Sequence, residues 1–250
     1  MDSSWFEGKR ALDIGCNSGA VTIEIAERFR PKHIMGLDID PSLIAKARAN
    51  VICKACRHQP KPGGQSMAGG VQGDMRLEHQ ALLSENGEPL SVSAHNGTER
   101  RLGRLDLDLS LLPDSDAEPF AFPYNCSFRR EDYCEDPCID ARYDAVLCLS
   151  VTKWVHYNRG DEGVKKLFSK VYRSLREGGR FILEWQEWSS YKKKKTLTPL
   201  FKANCAAIRL HPGSFRDYLV AEVGFKSAIV LNPPKGNSEG FQRPLVVFEK

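Results

Sequence analysis

No uninterrupted apolar run in this 250-residue chain approaches the ~18 residues that a spanning helix needs, which excludes a helical membrane protein. The N-terminus, Met1-Asp2-Ser3-Ser4-Trp5, lacks the basic and then greasy region of a secretory signal, so export is not expected. Nor is the composition extreme. With 41% hydrophobic and 27% charged residues, neither a wholly disordered chain nor a collagen-like fibre is tenable. Charge of one sign is in short supply as well: a net +4 permits a polyanionic partner without demanding one. The length suits one large domain or two small ones.

Cysteine is not scarce, but the setting for disulfides is. The eight cysteines, in a chain with no export signal, read as free thiols in an intracellular compartment. Cys53 and Cys56 form CxxC, and Cys134 and Cys138 form CxxxC. The second spacing is wrong for zinc and both pairs lie in loop-like sequence, so no metal is expected.

Periodicity organises the rest. Arg10 to Ile14 reads as a strand ending in Gly15-Cys16-Asn17-Ser18-Gly19, and Ala20 to Phe29 as a helix with Val21, Ile25 and Phe29 on its apolar face. His33 to Leu37 is a second strand, closed by Asp38-Ile39-Asp40-Pro41. Ser42 to Val51 is a second helix carrying Leu43, Ile44, Ala47 and Val51. Strand, helix, strand, helix implies parallel pairing. From about Cys53 to Phe120 the pattern dissolves into Gly, Pro, Ser, Gln and scattered charge, which reads as a largely disordered insert. Tyr143 to Leu149 is a nearly continuous apolar run, as expected of a central, fourth strand. Asp161 to Leu175 is helical, Arg180 to Glu184 a strand, Ser214 to Ala221 a short helix, and Phe225 to Leu231 and Leu245 to Phe248 an antiparallel pair at the sheet edge. The expected fold is one doubly wound α/β domain over residues 1–250, interrupted at about 53–120.

The turn after the first strand lets a ligand approach backbone at the carboxyl end of the sheet. A dinucleotide fingerprint is GxGxxG, and here Asn17 stands where its second glycine would face a pyrophosphate. The pattern Asp-x-Gly-x-x-x-Gly (Asp13 to Gly19) instead resembles that of S-adenosylmethionine-dependent methyltransferases, whose ligand carries an amino-acid tail. Asp38 follows Gly19 by about 20 residues, the offset at which a carboxylate accepts from ribose hydroxyls, while Asp40 before Pro41 suits a helix cap. Asp132 and Tyr133 precede the fourth strand, where such folds face an adenine, although Glu131, Glu135 and Asp136 equally make this a solvated acidic loop. After the fourth strand, Lys153 and His156 are three apart, so on a helix they share a face and one anion could meet both; the neighbouring Trp154 and Val155 read equally well as core. Two tryptophans and Tyr191 then run into Lys192 to Lys195, which is either an RNA-facing cluster or a solvated face.

Four strings in order carry a closer resemblance: Leu147-Cys148-Leu149-Ser150-Val151-Thr152-Lys153-Trp154-Val155-His156, Gly160-Asp161-Glu162-Gly163, Trp188-Ser189-Ser190-Tyr191 and Gly240-Phe241-Gln242-Arg243-Pro244. Together they resemble the Bicoid-interacting methyltransferase family, over residues 5 to 51 and about 124 to 250. The resemblance implies a mostly parallel, seven-stranded, Rossmann-like methyltransferase sheet with an antiparallel edge strand. It implies methyl transfer from S-adenosyl-L-methionine to the 5′ terminal phosphate of a small nuclear RNA, in the nucleus, within reach of ribonucleoprotein proteins. By matching positions, Gly15, Cys16, Asn17, Asp38 and Ile39 would hold the cofactor, with Asp132, Tyr133 and Leu149 around its base. Lys153 and His156 would act at the RNA triphosphate, and Arg243 would touch the 5′ nucleotide. The resemblance also implies a tyrosine- and arginine-containing lid segment upstream of the first strand; this chain begins almost at that strand, with Trp5-Phe6, so the expectation is either a site that is open, weak or completed by something else, or a truncated sequence. Trp185 and Glu187 depart from the family's Glu-Pro-Gln-Pro-Trp string. The alternative, from another class, is a noncatalytic protein that retains RNA 5′ ends in the same groove; a methyltransferase of proteins or small molecules is a third.

Overall fold

The computed structural model describes residues 1–57, 121–137, 139–191, 198–232 and 243–250. The expected insert therefore lies outside the described residues except at its start, as do Cys138 and the lysine run. Seven strands form one sheet in the order β3-β2-β1-β4-β5-β7-β6. They are β1 (Arg10–Ile14), β2 (His33–Asp38), β3 (Cys126–Arg130), β4 (Tyr143–Leu149), β5 (Leu175–Glu184), β6 (Ser227–Leu231) and β7 (Leu245–Glu249). β3, β2, β1, β4 and β5 run parallel, while β7 is antiparallel to both β5 and β6, so the expected antiparallel pair closes this edge.

The central strands are apolar on both faces, and their alternation separates two cores. Leu12, Ile14, Val146, Cys148, Phe181, Leu183, Val246 and Phe248 pack on the side of α3 (Thr152–Ser174) and α6 (Phe215–Tyr218). Ala11, Ala145, Leu147, Ile182 and Val247 pack on the side of α1 (Ala20–Arg28) and α2 (Pro41–Arg57). Two short helices, α4 (Trp188–Tyr191) and α5 (Pro199–Ala207), enclose a third cluster around Tyr157 and Tyr191.

Several elements depart from the periodicity for identifiable reasons. On α1, Val21 is exposed and the buried set is Thr22, Ile23, Ile25 and Ala26. α2 continues past Val51 to Arg57, so the insert starts after Arg57 and not at Cys53. Ala55 is buried in that extra turn, and Lys54 bridges Glu24 at 3.1 Å and Glu27 at 2.5 Å on α1. β3 escaped the sequence pattern because it is a short edge strand, Cys-Ser-Phe-Arg-Arg, in which only Cys126 and Phe128 are buried. α3 begins at Thr152 rather than Asp161 and breaks at Gly160, whose φ of 61° and ψ of −160° are not helical. The expected helix from Ser214 resolves into a 3-10 turn (Pro212–Ser214), α6 and a wider π-turn (Leu219–Val223) that Gly224 ends.

Phe128 is the keystone under the first crossover. A Cβ added at Gly36 would lie 2.6 Å from its ring and 3.0 Å from Cys16 Sγ, and one added at Gly19 would lie 2.7 Å from the same ring. Gly36→Ala is therefore expected to destabilise by about 1–3 kcal/mol through overpacking. Gly213→Ala, with nothing within 4 Å of the added atom, should change stability by less than ~0.5 kcal/mol. Urea unfolding checks this, and equal midpoints for the two variants would refute the packing.

Candidate active site

The carboxyl ends of β1, β2, β3, β4 and β5 share one edge of the sheet, and the strand order reverses between β1 and β4, the place where open α/β sheets bind ligands. A cleft of about 840 Å³ opens there. Its floor is the Gly15–Gly19 turn. Gly15, Asn17 and Gly19 take φ of 71°, 53° and 79°, a left-handed backbone that glycine and asparagine tolerate best. Gly15 must be glycine for a second reason: a Cβ there would fall 2.3 Å from Val151 Cγ2, in the turn after β4.

Every amide of this turn is already donated. Gly15 and Cys16 donate to Leu37 O at 2.8 and 2.9 Å, and Gly19 to Cys16 O at 3.0 Å. Asn17 N donates to Asp38 Oδ2 at 2.9 Å, and Ser18 N to Asn17 Oδ1 at 2.6 Å. A turn with its N–H groups spent in this way has none left for a pyrophosphate, which agrees with the missing second glycine. Beneath it, burial pushes the Asp13 carboxyl up to about 7, against the opposing hydrogen bond from Thr22 Oγ1 at 2.6 Å.

One end of the cleft is acidic. Asp38 lines it, its Oδ1 also accepting from Asp40 N at 3.0 Å. Asp40 takes the capping role, accepting from Ser42 N at 2.8 Å and from Ser42 Oγ at 2.7 Å at the start of α2. Ile39 lines the cleft with 61% of its surface exposed, an apolar face offered to a flat ligand. Asp132, Tyr133 and Leu149 line it too. Tyr133 is nevertheless a core side chain, its hydroxyl donating to Ser174 Oγ at 3.2 Å and its ring under Lys170 Nζ at 4.1 Å. Cys16 departs from expectation: its side chain is buried behind the turn, does not line the cleft, and burial holds its thiol far above the usual range.

The other end is built around Ser150, a residue the sequence reading passed over. Its φ of 62° is rare for serine, and three hydrogen bonds hold it there. Its amide donates to Glu184 O at 3.0 Å, its hydroxyl to Glu184 Oε1, and its carbonyl accepts from Gln186 Nε2 at 2.8 Å. Arg243 lines the cleft here, with Nε 3.3 Å from Glu184 Oε1. Trp154, Asn158 and Arg159 on α3 also wall the cleft and were not singled out as site residues. The i, i+4 spacing of Trp154 and Asn158 is the available signal, and it shows only once Thr152–Arg159 is known to be the first two turns of α3.

Lys153 and His156 do share a face of α3, as their spacing requires, but α4 covers that face. Lys153 Nζ donates to Ser190 Oγ at 3.4 Å, and His156 Nδ1 is 2.9 Å from Tyr191 Oη. His156 is fully buried and does not line the cleft, so the expectation that it faces RNA is corrected. Its ring lies 5.6 Å from Phe215, and its Nε2 is 3.4 Å from Asp161 Oδ1. Burial lowers its pKa to about 4, outweighing Asp161. Nδ1 shares its hydrogen bond with the Tyr191 hydroxyl, while Nε2 and Asp161 Oδ1 face each other without forming one. Asp161 Oδ2 also accepts from Arg209 N at 2.8 Å and Leu210 N at 3.0 Å, so this group pins α3 to the chain around α4 and α5. A histidine that is neutral when folded but protonates near 6.5 when unfolded lowers stability as pH falls through that window towards about 4. His156→Gln should therefore cost ~1–3 kcal/mol near neutral pH through the lost buried bond. That gap should narrow between pH 7 and 5, as followed by denaturant midpoints; a gap independent of pH would contradict a neutral, buried His156.

Residues 143–250 match the family described as Bicoid-interacting protein 3 (Bin3), and residues 6–57 and 86–183 match methyltransferase domains. The chain is 39% identical over 260 residues to the 7SK snRNA methylphosphate capping enzyme of Mus musculus, covering all of this chain and 37% of that protein. It is 33% identical to a U6 snRNA methylphosphate capping enzyme of Drosophila melanogaster, with 98% of this chain and 64% of the other covered. A probable RNA methyltransferase of Arabidopsis thaliana is 36% identical, covering 100% of this chain and 73% of its own length. The chain thus spans little more than a third of the mouse relative. Among solved structures, an S-adenosylmethionine-dependent methyltransferase from Mesorhizobium loti superposes with a TM-score of 0.52 at 13% identity, over 98% of this chain and 92% of that one; the likeness is one of fold. With its seven-stranded methyltransferase sheet and its identity to these proteins along the whole chain, the protein belongs to the Bicoid-interacting protein 3 family.

Proposed function

We propose that this chain transfers a methyl group from S-adenosylmethionine to the terminal phosphate oxygen at the 5′ end of a small nuclear RNA. Residues 1–250 act as one methyltransferase domain whose insert begins after Arg57. The observation that carries the reading is the polarity of the cleft lining: Asp38 and Asp132 on the side of β2 and β3, Arg243 on the side of β7. A cationic donor suits the first side and a polyanion the second. The capping activities named for the mouse and Drosophila relatives support the substrate class, and a small nuclear RNA substrate is what makes the nucleus the proposed place of action.

The residues present fit the donor. Asp38 already holds two backbone amides, and a carboxylate has lone pairs to spare for ribose hydroxyls. Ile39 gives a base an apolar surface, Asp132 gives its amino group an acceptor, and the spent amides of the turn ask for no phosphate. Bound S-adenosylmethionine supplies an electrophilic methyl group on a sulfonium.

The acceptor chemistry needs little more from the protein than position. A terminal phosphate oxygen is anionic near neutral pH and attacks carbon without a general base, so alignment and charge neutralisation dominate. Lys153 meets phosphate as a point charge and Arg243 as a planar fork. His156 holds a neutral ring between α3 and Tyr191 and thereby positions α4, whose Ser190 steadies Lys153. No proton transfer is assigned to it.

Two measurements test this. Triphosphorylated small RNA incubated with methyl-labelled S-adenosylmethionine should gain label on its 5′ terminal nucleotide, and 5′-hydroxyl RNA should not. Donor binding without RNA labelling would sink the catalytic reading and select the 5′-end-binding alternative. Asp38→Ala, titrated calorimetrically, should bind S-adenosylhomocysteine at least ~10-fold more weakly, having lost both its ribose acceptors and its hold on Asn17.

A further inference from the structure

Arg159 is the last residue of α3 before the break at Gly160, and its guanidinium reaches across the acidic end of the cleft. Nη2 lies 2.5 Å from Asp132 Oδ2, and Nη1 pairs with Glu135 Oε1. One planar fork thus grips two carboxylates of the loop that follows β3, those of Asp132 and Glu135. The loop is a tight turn in its own right: the amides of Glu135 and Asp136 donate to Asp132 O at 2.9 and 3.0 Å, and Cys134 N donates to Asp132 Oδ1 at 3.0 Å. Lys166 stands 3.7 Å from the far oxygen of Glu135. Asp132 therefore has one carboxylate oxygen fixed by its own loop and the other by Arg159. Only the second contact comes from another element.

We propose that Arg159 is a positioning residue that aims the Asp132 carboxylate at the exocyclic amino group of the donor's purine, so that recognition of adenine over a 6-oxo base is set from α3. The inference rests on the donor reading given above.

The physical case has three parts. A carboxylate that accepts from an amino group discriminates only if its lone pairs are held in direction, because a freely rotating one turns to a water or to the N1–H of a 6-oxo purine as readily. A single amide bond from Cys134 leaves the carboxylate plane free to turn about that contact, and the Arg159 bond removes that freedom. The fork is only a third exposed and engages two partners, so it escapes the weakness of isolated surface pairs. Finally, the break at Gly160 leaves Arg159 at the end of a rigid two-turn segment, anchored at its other face by the Tyr191 bond to His156. The guanidinium is held by the fold and does not merely follow the loop.

The test compares binding of S-adenosylhomocysteine and S-inosylhomocysteine, its 6-oxo analogue, to the full chain by calorimetry. Wild type should prefer the adenosyl compound. Arg159→Gln should weaken S-adenosylhomocysteine about tenfold and leave the inosyl compound nearly unchanged, collapsing the preference. Arg159→Lys, which keeps the charge but not the fork, should recover only part of it. Asp132→Asn combined with Arg159→Gln should be no worse than Asp132→Asn alone, because the arginine acts through that carboxylate. Matching thermal unfolding midpoints without ligand establish that the variants are folded. If Arg159→Gln weakens both compounds equally, or keeps the wild-type preference, the positioning role is overturned while the donor reading stands. If wild type binds neither, the donor reading itself falls, and this inference with it.

Discussion

The carboxylate of Asp38 is the constraint on which the rest of the cleft depends. It takes the amide of Asn17 with one oxygen and that of Asp40 with the other, and so joins the turn after β1, the end of β2 and the start of α2 in one set of bonds. Without that acceptor, Asn17 would leave a left-handed conformation with an amide unmet at the bottom of a cleft. Phe128 completes the arrangement from below, filling the space that the absent side chains of Gly19 and Gly36 leave open. The turn is thereby rigid, closely approachable and electrically spent, which is what a ligand without a pyrophosphate requires.

α3 divides its labour by face. Lys153 and His156 look towards α4, where a neutral histidine, a tyrosine and a serine fix the geometry, while Trp154, Asn158 and Arg159 look into the cleft. The break at Gly160 allows both: the first two turns serve the site, and the remainder, through Val164, Leu167, Phe168 and Val171, packs on the sheet. Ser150 performs a similar service between β4 and β5. Its strained backbone is over-determined by Glu184 and Gln186, so the chain leaves β4 in one direction only.

Much of this was legible from residue order. Local chemistry dictated the glycine turn, the capping of α2 by Asp40 and the two-sided burial of β4, because each depends on neighbours within a few positions. The ordered strings shared with the family carried the fold beyond what periodicity reached, including the sheet whose third strand is too short and too polar to declare itself. The end of α2 was misplaced since its last turn is held by Ala55 burial and by Lys54 reaching to α1, neither visible in a helical period.

What tertiary structure alone decided is which way equivalent side chains point. The spacing of Lys153 and His156 guaranteed a common face, but not what would cover it, and α4 turned His156 from a candidate at the phosphate into a buried post. Cys16 sits inside a ligand turn yet faces the core, and Tyr133 spends its ring beneath Lys170. Arg159 and Asp132 are separated by 27 positions, and nothing in either segment announces the other. Periodicity reports the direction of a residue relative to its own element; the partner on the far side is set by how the elements pack.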